Sequence, residues 1–270
     1  MTTIGWDDPR TARIYESVCG RHARYREANA ALVAHAELRR GHRVLDVAAG
    51  TGRTTEAALP LIGDSGRVLC VEPAGAMRDV GMRRVRDARV RWTLALPDAR
   101  DDSARYDRVL CGAALWQLLP LEESIARLAA LLAPGAALCF NIPSLYLREP
   151  DEPGGGRDPL LVDLTLLVER SPDSVAGVVT PATASFLHDA GEMEALLTAA
   201  GLRPRRWTFR VKLTQAGYRD WLAIPVVSEG LFAGLSPRER ARRLRAAYER
   251  SDRASWRWER WTGWTAWRES

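Results

Sequence analysis

This 270-residue sequence predicts an α/β fold built on a doubly wound, largely parallel sheet, and three observations predict it. Short apolar runs alternate with helix-patterned segments from Arg43 to Ile142. The segments between the runs have the length of crossover helices, which parallel strands require. The first run, Val44 to Val47, opens into a turn of very small residues, Ala48-Ala49-Gly50-Thr51-Gly52, before a helix begins.

The elements follow in order. Residues 8–38 are rich in Ala and Arg and read as helical. Strands are expected at 43–48, 67–71, 90–94, 106–111 and 137–142, with helices at 54–61, 74–86 and 121–132. The last of these helices is amphipathic and stops at Ala133-Pro134-Gly135. The rhythm then breaks. Residues 148–158 form a polar, Pro- and Gly-rich loop, and 160–169 a short apolar helix. A helix at 191–200 closes at Gly201. Residues 206–213 place Trp207, Phe209 and Val211 on one face, as a strand does. Residues 215–252 are helical again. The segment 256–267 carries Trp256, Trp258, Trp261, Trp264 and Trp267. It reads as a strand paired with 206–213, with Gly263 at a bulge or turn. These tryptophans are assigned to core packing at the sheet edge in preference to base stacking or sugar binding.

Composition narrows the class. Hydrophobic residues make up 46% and charged residues 27% of the chain, as in an ordinary globular domain. No apolar run approaches the ~20 residues that span a bilayer. The opening residues lack the basic-then-apolar pattern of a signal peptide, so a cytoplasmic location and no membrane partner are expected. Cys19, Cys70, Cys111 and Cys139 show neither CxxC nor metal-ligand spacing, which fits a reducing compartment and no metal. Net charge is +5, and Lys212 is the one lysine among 39 basic residues. The densest basic stretch, Pro237 to Arg250, includes Glu239 and Glu249 and reads as a solvated helix face. Nucleic acid is therefore a disfavoured partner.

The chemistry concentrates in Val44-Leu45-Asp46-Val47-Ala48-Ala49-Gly50-Thr51-Gly52. Small residues let a ligand approach the backbone, and the N–H groups at the following helix start favour an anionic group. Dinucleotide sites use GxGxxG without an acid at this place. The acid here lies four residues before Gly50, so a ligand carrying both an ammonium and a carboxylate would use both features. Twenty residues after Gly52, the run Val68 to Val71 ends in Glu72, followed by Pro73.

The stretch resembles motif I of class I S-adenosylmethionine (SAM)-dependent methyltransferases, an acid followed by GxGxG. Gly50 and Gly52 match the second and third glycines, and Ala48 stands where the first is usual. The resemblance covers about residues 40–142 and includes Tyr106-Asp107 through Trp116, similar to motif IV, and Leu132 through Leu138, similar to the LxPGGxL turn. It implies a Rossmann-like seven-stranded sheet, mostly parallel with the last strand antiparallel, plus helical cap insertions. It also implies that Asp46, Ala48, Gly50 and Gly52 border the cofactor, that Glu72 accepts its ribose hydroxyls, and that Pro73 and Met77 lie against the adenine. Asp98 is the candidate acid near the adenine amino group. Cys111 to Ala113 would be the segment of the fourth strand nearest the cofactor, with Asp107 on the far side in a structural role. The pattern is similar to the small-molecule branch that includes quinone-biosynthesis C-methyltransferases and malonyl-carrier O-methyltransferases.

The expected layout is thus one domain, 1–270, with an N-terminal helical lid at 1–40, a SAM-binding core at 40–142, and substrate-covering insertions at 143–187 and 214–254. The expected reaction moves a methyl group from SAM to the O, N or C atom of a small, partly hydrophobic metabolite in secondary or cofactor metabolism, leaving S-adenosylhomocysteine. A cyclisation or rearrangement supported by SAM and an RNA methyltransferase are the alternatives. Methyl transfer is an in-line displacement that alignment alone can accelerate, so the motifs name no obligatory catalytic group. Tyr15, as a cofactor-contacting lid residue, and His22 are the catalytic candidates, with Tyr25 and His188 behind them. Leu145, Tyr146, Leu161, Leu164, Phe186, Trp221 and Phe232 are the expected acceptor lining. A homodimer is compatible with the sequence.

Overall fold

The computed structural model describes residues 5–100, 105–148, 188–232 and 234–269. The expectations for 149–187, including Leu161, Leu164 and Phe186, lie outside the described residues. Seven strands form one sheet: β1 (Arg43–Val47), β2 (Arg67–Val71), β3 (Val90–Thr93), β4 (Tyr106–Gly112), β5 (Leu132–Pro143), β6 (Leu202–Thr214) and β7 (Trp256–Arg268). Their order is β3-β2-β1-β4-β5-β7-β6. β7 is antiparallel to both β5 and β6, and the pairs among β1 to β5 are parallel. The expected Rossmann-like sheet with an antiparallel last strand is therefore present. Leu147–Arg148 and His188–Asp189 form a separate two-residue parallel pair.

Helices cover both faces. On one face lie α2 (Ala23–His35) and α3 (Arg53–Ile62), burying Leu32, Val33, Ala58 and Ile62 against Val44, Val68 and Leu110. On the other lie α5 (Leu121–Ala130) and α6 (Ala190–Ala199), burying Ile125, Leu128, Met193 and Leu197 against Leu45, Val109 and Phe140. A sheet covered on both faces reads as unbroken apolar runs, which is why β1, β2 and β4 lack alternation. The remaining helices are α1 (Pro9–Arg21), α4 (Gly75–Arg84), α7 (Gln215–Leu222), α8 (Pro225–Leu231) and α9 (Pro237–Arg250). The last three enclose a third core of Tyr218, Trp221, Leu222, Ile224, Phe232 and Leu244, on which Val18 of α1 also packs.

Several boundaries differ from expectation for identifiable reasons. The N-terminal helical region is two helices, broken at His22, whose backbone is extended. The region 215–252 is divided by Pro225 and Pro237, each in the first turn of its helix, where a missing N–H leaves no hydrogen bond unmade. β6 begins at Leu202 rather than 206. It tolerates Pro204 because it is the edge strand of the sheet. The basic helix α9 is not a uniformly solvated face, since Arg240 and Arg243 are buried and Glu239 binds Arg242 and Arg243.

The tryptophans of β7 divide. Trp261 and Trp264 are fully buried, as core packing requires, whereas Trp256 and Trp258 are 48% and 52% exposed. Gly263 marks no bulge: it lies in an unbroken ladder, opposite Trp207 on one side and Asn141 on the other. Its role is steric, because a Cβ there would stand 2.3 Å from the Trp207 ring. That ring is held from behind by His35, stacked at 4.1 Å, and by an indole hydrogen bond to Thr265. Gly263→Ala should therefore lower the unfolding free energy by about 1–3 kcal/mol, the usual penalty of overpacking. Urea denaturation checks it, and an unchanged midpoint would show that Trp207 moves aside freely.

Candidate functional site

The strand order reverses around β1, with β2 on one side and β4 on the other. At such a point the carboxyl ends of the strands splay and leave a crevice. A cavity opens there, with about 810 Å³ of unfilled space including its mouth. The turn after β1, the end of β2 and the loop after β4 border it through Ala48, Gly50, Glu72, Pro73, Ala74, Gly112 and Ala113. Met77 of α4 joins them, and Trp6, Tyr15, Tyr25, Trp116, Tyr146 and Trp221 form an aromatic side.

The turn after β1 is held in left-handed backbone. Gly50 and Gly52 have φ of 56° and 78°, and Ala48 has φ of 54° although it carries a Cβ. A glycine suits that conformation better than alanine, which gives Ala48 a local strain. Gly52 is constrained twice, since a Cβ there would lie 2.8 Å from Val85. Ala113, at the corresponding place after β4, also has positive φ, 53°. Buried Asn141 of β5 steadies it: its Oδ1 accepts the Ala113 N–H at 2.9 Å, and its Nδ2 donates to the Ala28 carbonyl.

Glu72 joins the two halves of the crevice. Its Oε2 accepts the Gly50 N–H at 2.7 Å, and its Oε1 accepts the Ala74 N–H at 2.8 Å. Each oxygen keeps a second lone pair. Burial raises the carboxyl above its ordinary value, against the opposing pull of these two N–H groups. Asp46 is placed differently from the expectation. It does not border the cavity but lies beneath the turn, 1% exposed, where its Oδ2 accepts the Thr55 hydroxyl at 2.6 Å. Its Oδ1 is buried with no hydrogen-bond partner. Burial outweighs the hydrogen bonds from the Thr55 hydroxyl and backbone N–H, and its carboxyl is pushed up to about 7.

Of the other sequence candidates, Pro73, Met77, Ala113, Tyr15, Tyr25, Tyr146 and Trp221 border the cavity, and Cys111 stands just behind it in the core. Six others lie elsewhere: Gly52 stands off the cavity against Val85 and Trp92, and Leu145 packs on the third core. Asp98 is exposed and its carboxylate is taken by Arg100. His22 faces away, with Nε2 2.8 Å from Asp220, because the extended backbone at 22 turns its ring toward α7. His188 lies beside Glu192, and Phe232 is buried in the core of α7 to α9. Asp107, expected to be structural, accepts the Arg43 N–H at the opposite end of the sheet.

Some positioning residues carried no sequence signal. Glu16 of α1 accepts the Thr51 hydroxyl at 2.7 Å and pairs with Arg53, while Arg84 stands 3.6 Å away. The N-terminal helix is thereby pinned onto the glycine turn. The Trp6 indole donates to Gln117 at 3.1 Å, tying the N-terminal segment to the loop after β4. Tyr25 accepts from the Trp221 indole at 3.1 Å, and the guanidinium of Arg24 lies 4.6 Å from the Trp221 ring. Arg24 itself is buried in a two-point pair with Glu259, at 2.7 and 2.6 Å. Burial raises the Tyr25 hydroxyl to about 12 and the hydroxyls of Tyr15 and Tyr146 in the same direction. These phenols therefore act as neutral hydrogen-bonding groups, not as bases.

Known proteins resemble the chain in sequence over its first strands and in fold. A methyltransferase-domain family model matches residues 44–135, the segment from β1 to the start of β5. The ubiquinone/menaquinone biosynthesis C-methyltransferase UbiE of Coxiella burnetii is 28% identical over 121 residues, 42% of this chain and 48% of that one. The chain thus spans about half the length of the curated relatives it matches. Among solved structures, YcgJ of Bacillus subtilis superposes with a TM-score of 0.57 at 15% identity, covering 91% of this chain and 99% of that one. A SAM-dependent methyltransferase from Geobacter sulfurreducens, in complex with S-adenosylhomocysteine, gives 0.54 at 17% identity, with 96% and 98% covered. At such identities these two establish a shared fold.

The position of Asp46 makes stability depend on pH. Between its ordinary value of 3.8 and about 7, the folded chain holds a proton that the unfolded chain has released. Its contribution to stability therefore falls as pH rises through that window. Urea unfolding of wild type and Asp46→Asn should show their free-energy difference moving in favour of the variant from about pH 4 to about pH 7, then levelling. A difference independent of pH would mean that Asp46 is ionised throughout.

Proposed function

We propose that this chain, which carries a class I SAM-dependent methyltransferase domain similar to those of the quinone C-methyltransferases, transfers the methyl group of SAM to a small, partly hydrophobic acceptor bound against the aromatic side of the cavity. The observation that carries this reading is the placement of Glu72. A buried carboxylate with a free lone pair on each oxygen borders a cavity that is otherwise lined largely by aromatic and small residues. A ribose presents two adjacent hydroxyl donors, which such a carboxylate can accept. Pro73 and Met77 offer the flat apolar contact an adenine needs, and the turn from Ala48 to Gly52 leaves room for the amino-acid portion. The cofactor's sulfonium supplies a methyl carbon open to in-line displacement.

The chain's own residues orient the acceptor and exclude water. Trp116 and Tyr146 stack at 4.5 Å, and Tyr15 packs on Tyr25 at 5.5 Å, so the acceptor end has rigid aromatic walls. Because Tyr25 accepts from Trp221, its own O–H remains available as a donor toward an acceptor atom. Among the described residues that border the cavity, none beyond Glu72 is a carboxylate, histidine or lysine. Catalysis on this reading rests on alignment, with an acceptor that has given its proton to bulk solvent before it is enclosed and attacks with the resulting lone pair. Asp46 supports the turn from beneath and does not border the cavity.

Calorimetric titration with SAM and with S-adenosylhomocysteine checks the site. Glu72→Ala should weaken both by at least about tenfold, about 1.4 kcal/mol. Glu72→Gln, which keeps an acceptor oxygen, should lose less. Equal affinity in wild type and Glu72→Ala would remove the cofactor assignment. Stoichiometric release of S-adenosylhomocysteine with a methylated product separates methyl transfer from a SAM-supported rearrangement.

A further inference from the structure

The ladder between β5 and β7 ends at Pro143 opposite Trp261, whereas β6 and β7 remain paired through Thr214 opposite Trp256. The two strands thus project past the sheet as a ribbon five residue pairs long, about 15 Å at the usual rise per residue. It projects from the end of the sheet where Pro143 borders the cavity. Alternation sorts its side chains. Arg257 and Glu259 are buried on one face, with Glu259 held by Arg24. Trp256 and Trp258 lie on the other, about half exposed, across from Thr214 and Lys212. Arg210, exposed, and Arg260 continue the same face. The single acid of the ribbon is on the buried face, so the exposed one is aromatic and cationic.

Charged residues on an edge strand protect it from unwanted pairing, which explains Lys212 and Arg210. It does not explain two half-exposed tryptophans on the inner strand beside them. We propose that this face seats on an anionic lipid surface, with the indoles at headgroup depth and Lys212 and Arg210 against the lipid phosphates. Tryptophan is the residue of membrane–water interfaces, and each nearby cation adds attraction to an anionic leaflet. Single-stranded nucleic acid fits less well. The Lys212 ammonium sits 4.4 Å from the Trp256 ring centre, and the Trp256 and Trp258 rings meet edge to face at 84°, so no stacking platform is presented. The contact is superficial: among the described residues, no helix is long and apolar enough to cross a membrane. A hydrophobic acceptor would then reach the cavity from the bilayer interface beside it.

Sedimentation of the purified chain with vesicles tests this, using phosphatidylcholine alone or mixed with phosphatidylglycerol. The chain should pellet with the anionic vesicles and not with the neutral ones. Trp256→Ser/Trp258→Ser should lower the partition coefficient by about tenfold or more. Arg210→Glu/Lys212→Glu should lower it similarly for anionic vesicles. Thermal midpoint and S-adenosylhomocysteine affinity should stay at wild-type values in both, which keeps this result independent of the cofactor site. Failure of the wild type to pellet, or pelleting unchanged in either double variant, overturns the proposal. Binding to oligouridine that both variants lose, with no vesicle binding, overturns it in favour of single-stranded nucleic acid.

Discussion

The geometry of the crevice depends on one buried carboxylate. Glu72 grips a backbone N–H from the turn after β1 and another from the start of α4. Two chain segments that leave neighbouring strands in diverging directions are thereby fixed to each other. Desolvation works against such a group, and the two N–H donors offset it only in part, so its carboxyl stays raised. The arrangement is tolerable because each donor is itself a backbone group that would otherwise lack a partner. The left-handed residues Ala48, Gly50 and Gly52 then have a fixed neighbour to fold against, and Met77 closes over Gly50 from α4.

The aromatic side is organised by a second buried charge. Arg24 and Glu259 pair across the interface of α2 with β7, and three rings surround the guanidinium, those of Tyr25, Trp221 and Trp261. Trp261 also donates its indole N–H to Glu259. Removing one partner of such a pair leaves an uncompensated buried charge, so the rings that border the cavity are held by an interaction outside it. Glu16 acts comparably at the other end, where α1 meets the glycine turn.

The core of the fold was legible because sequence-local signals dominate there. The apolar runs of β1 and β2, the small-residue turn and the interval from Gly52 to Glu72 all reflect constraints within one crossover unit, and the run of β4 that of a strand covered on both faces. The aromatic wall was only partly legible. Tyr15, Tyr25, Tyr146 and Trp221 stand among the sequence candidates; Trp6 and Gln117 do not, since nothing near either marks a partner 111 positions away, and Trp116 enters only as the end of the motif IV stretch, with no sign that it stacks on Tyr146. Asp46 was read as a ligand-facing acid from its place before the glycines. Its carboxylate meets Thr55 of α3 instead, a contact that a motif does not encode. His22 failed similarly, because its intrinsic chemistry suggested a base while Asp220, 198 residues later, claims its ring.

The sheet order has a consequence for how the chain is assembled during synthesis. β6 is made before β7, yet among the described residues its one neighbour in the sheet is β7. Until residues 256–268 leave the ribosome, a strand rich in arginine and aromatics has no edge to join, and β5 offers an open edge of its own. The first five strands can pair as they emerge, but the last two must wait and enter together. Completion of the aromatic wall, which leans on Trp261, is therefore deferred until residues 256–268 have been made, and a nascent chain halted before them would hold a finished glycine turn beside an unfinished aromatic wall.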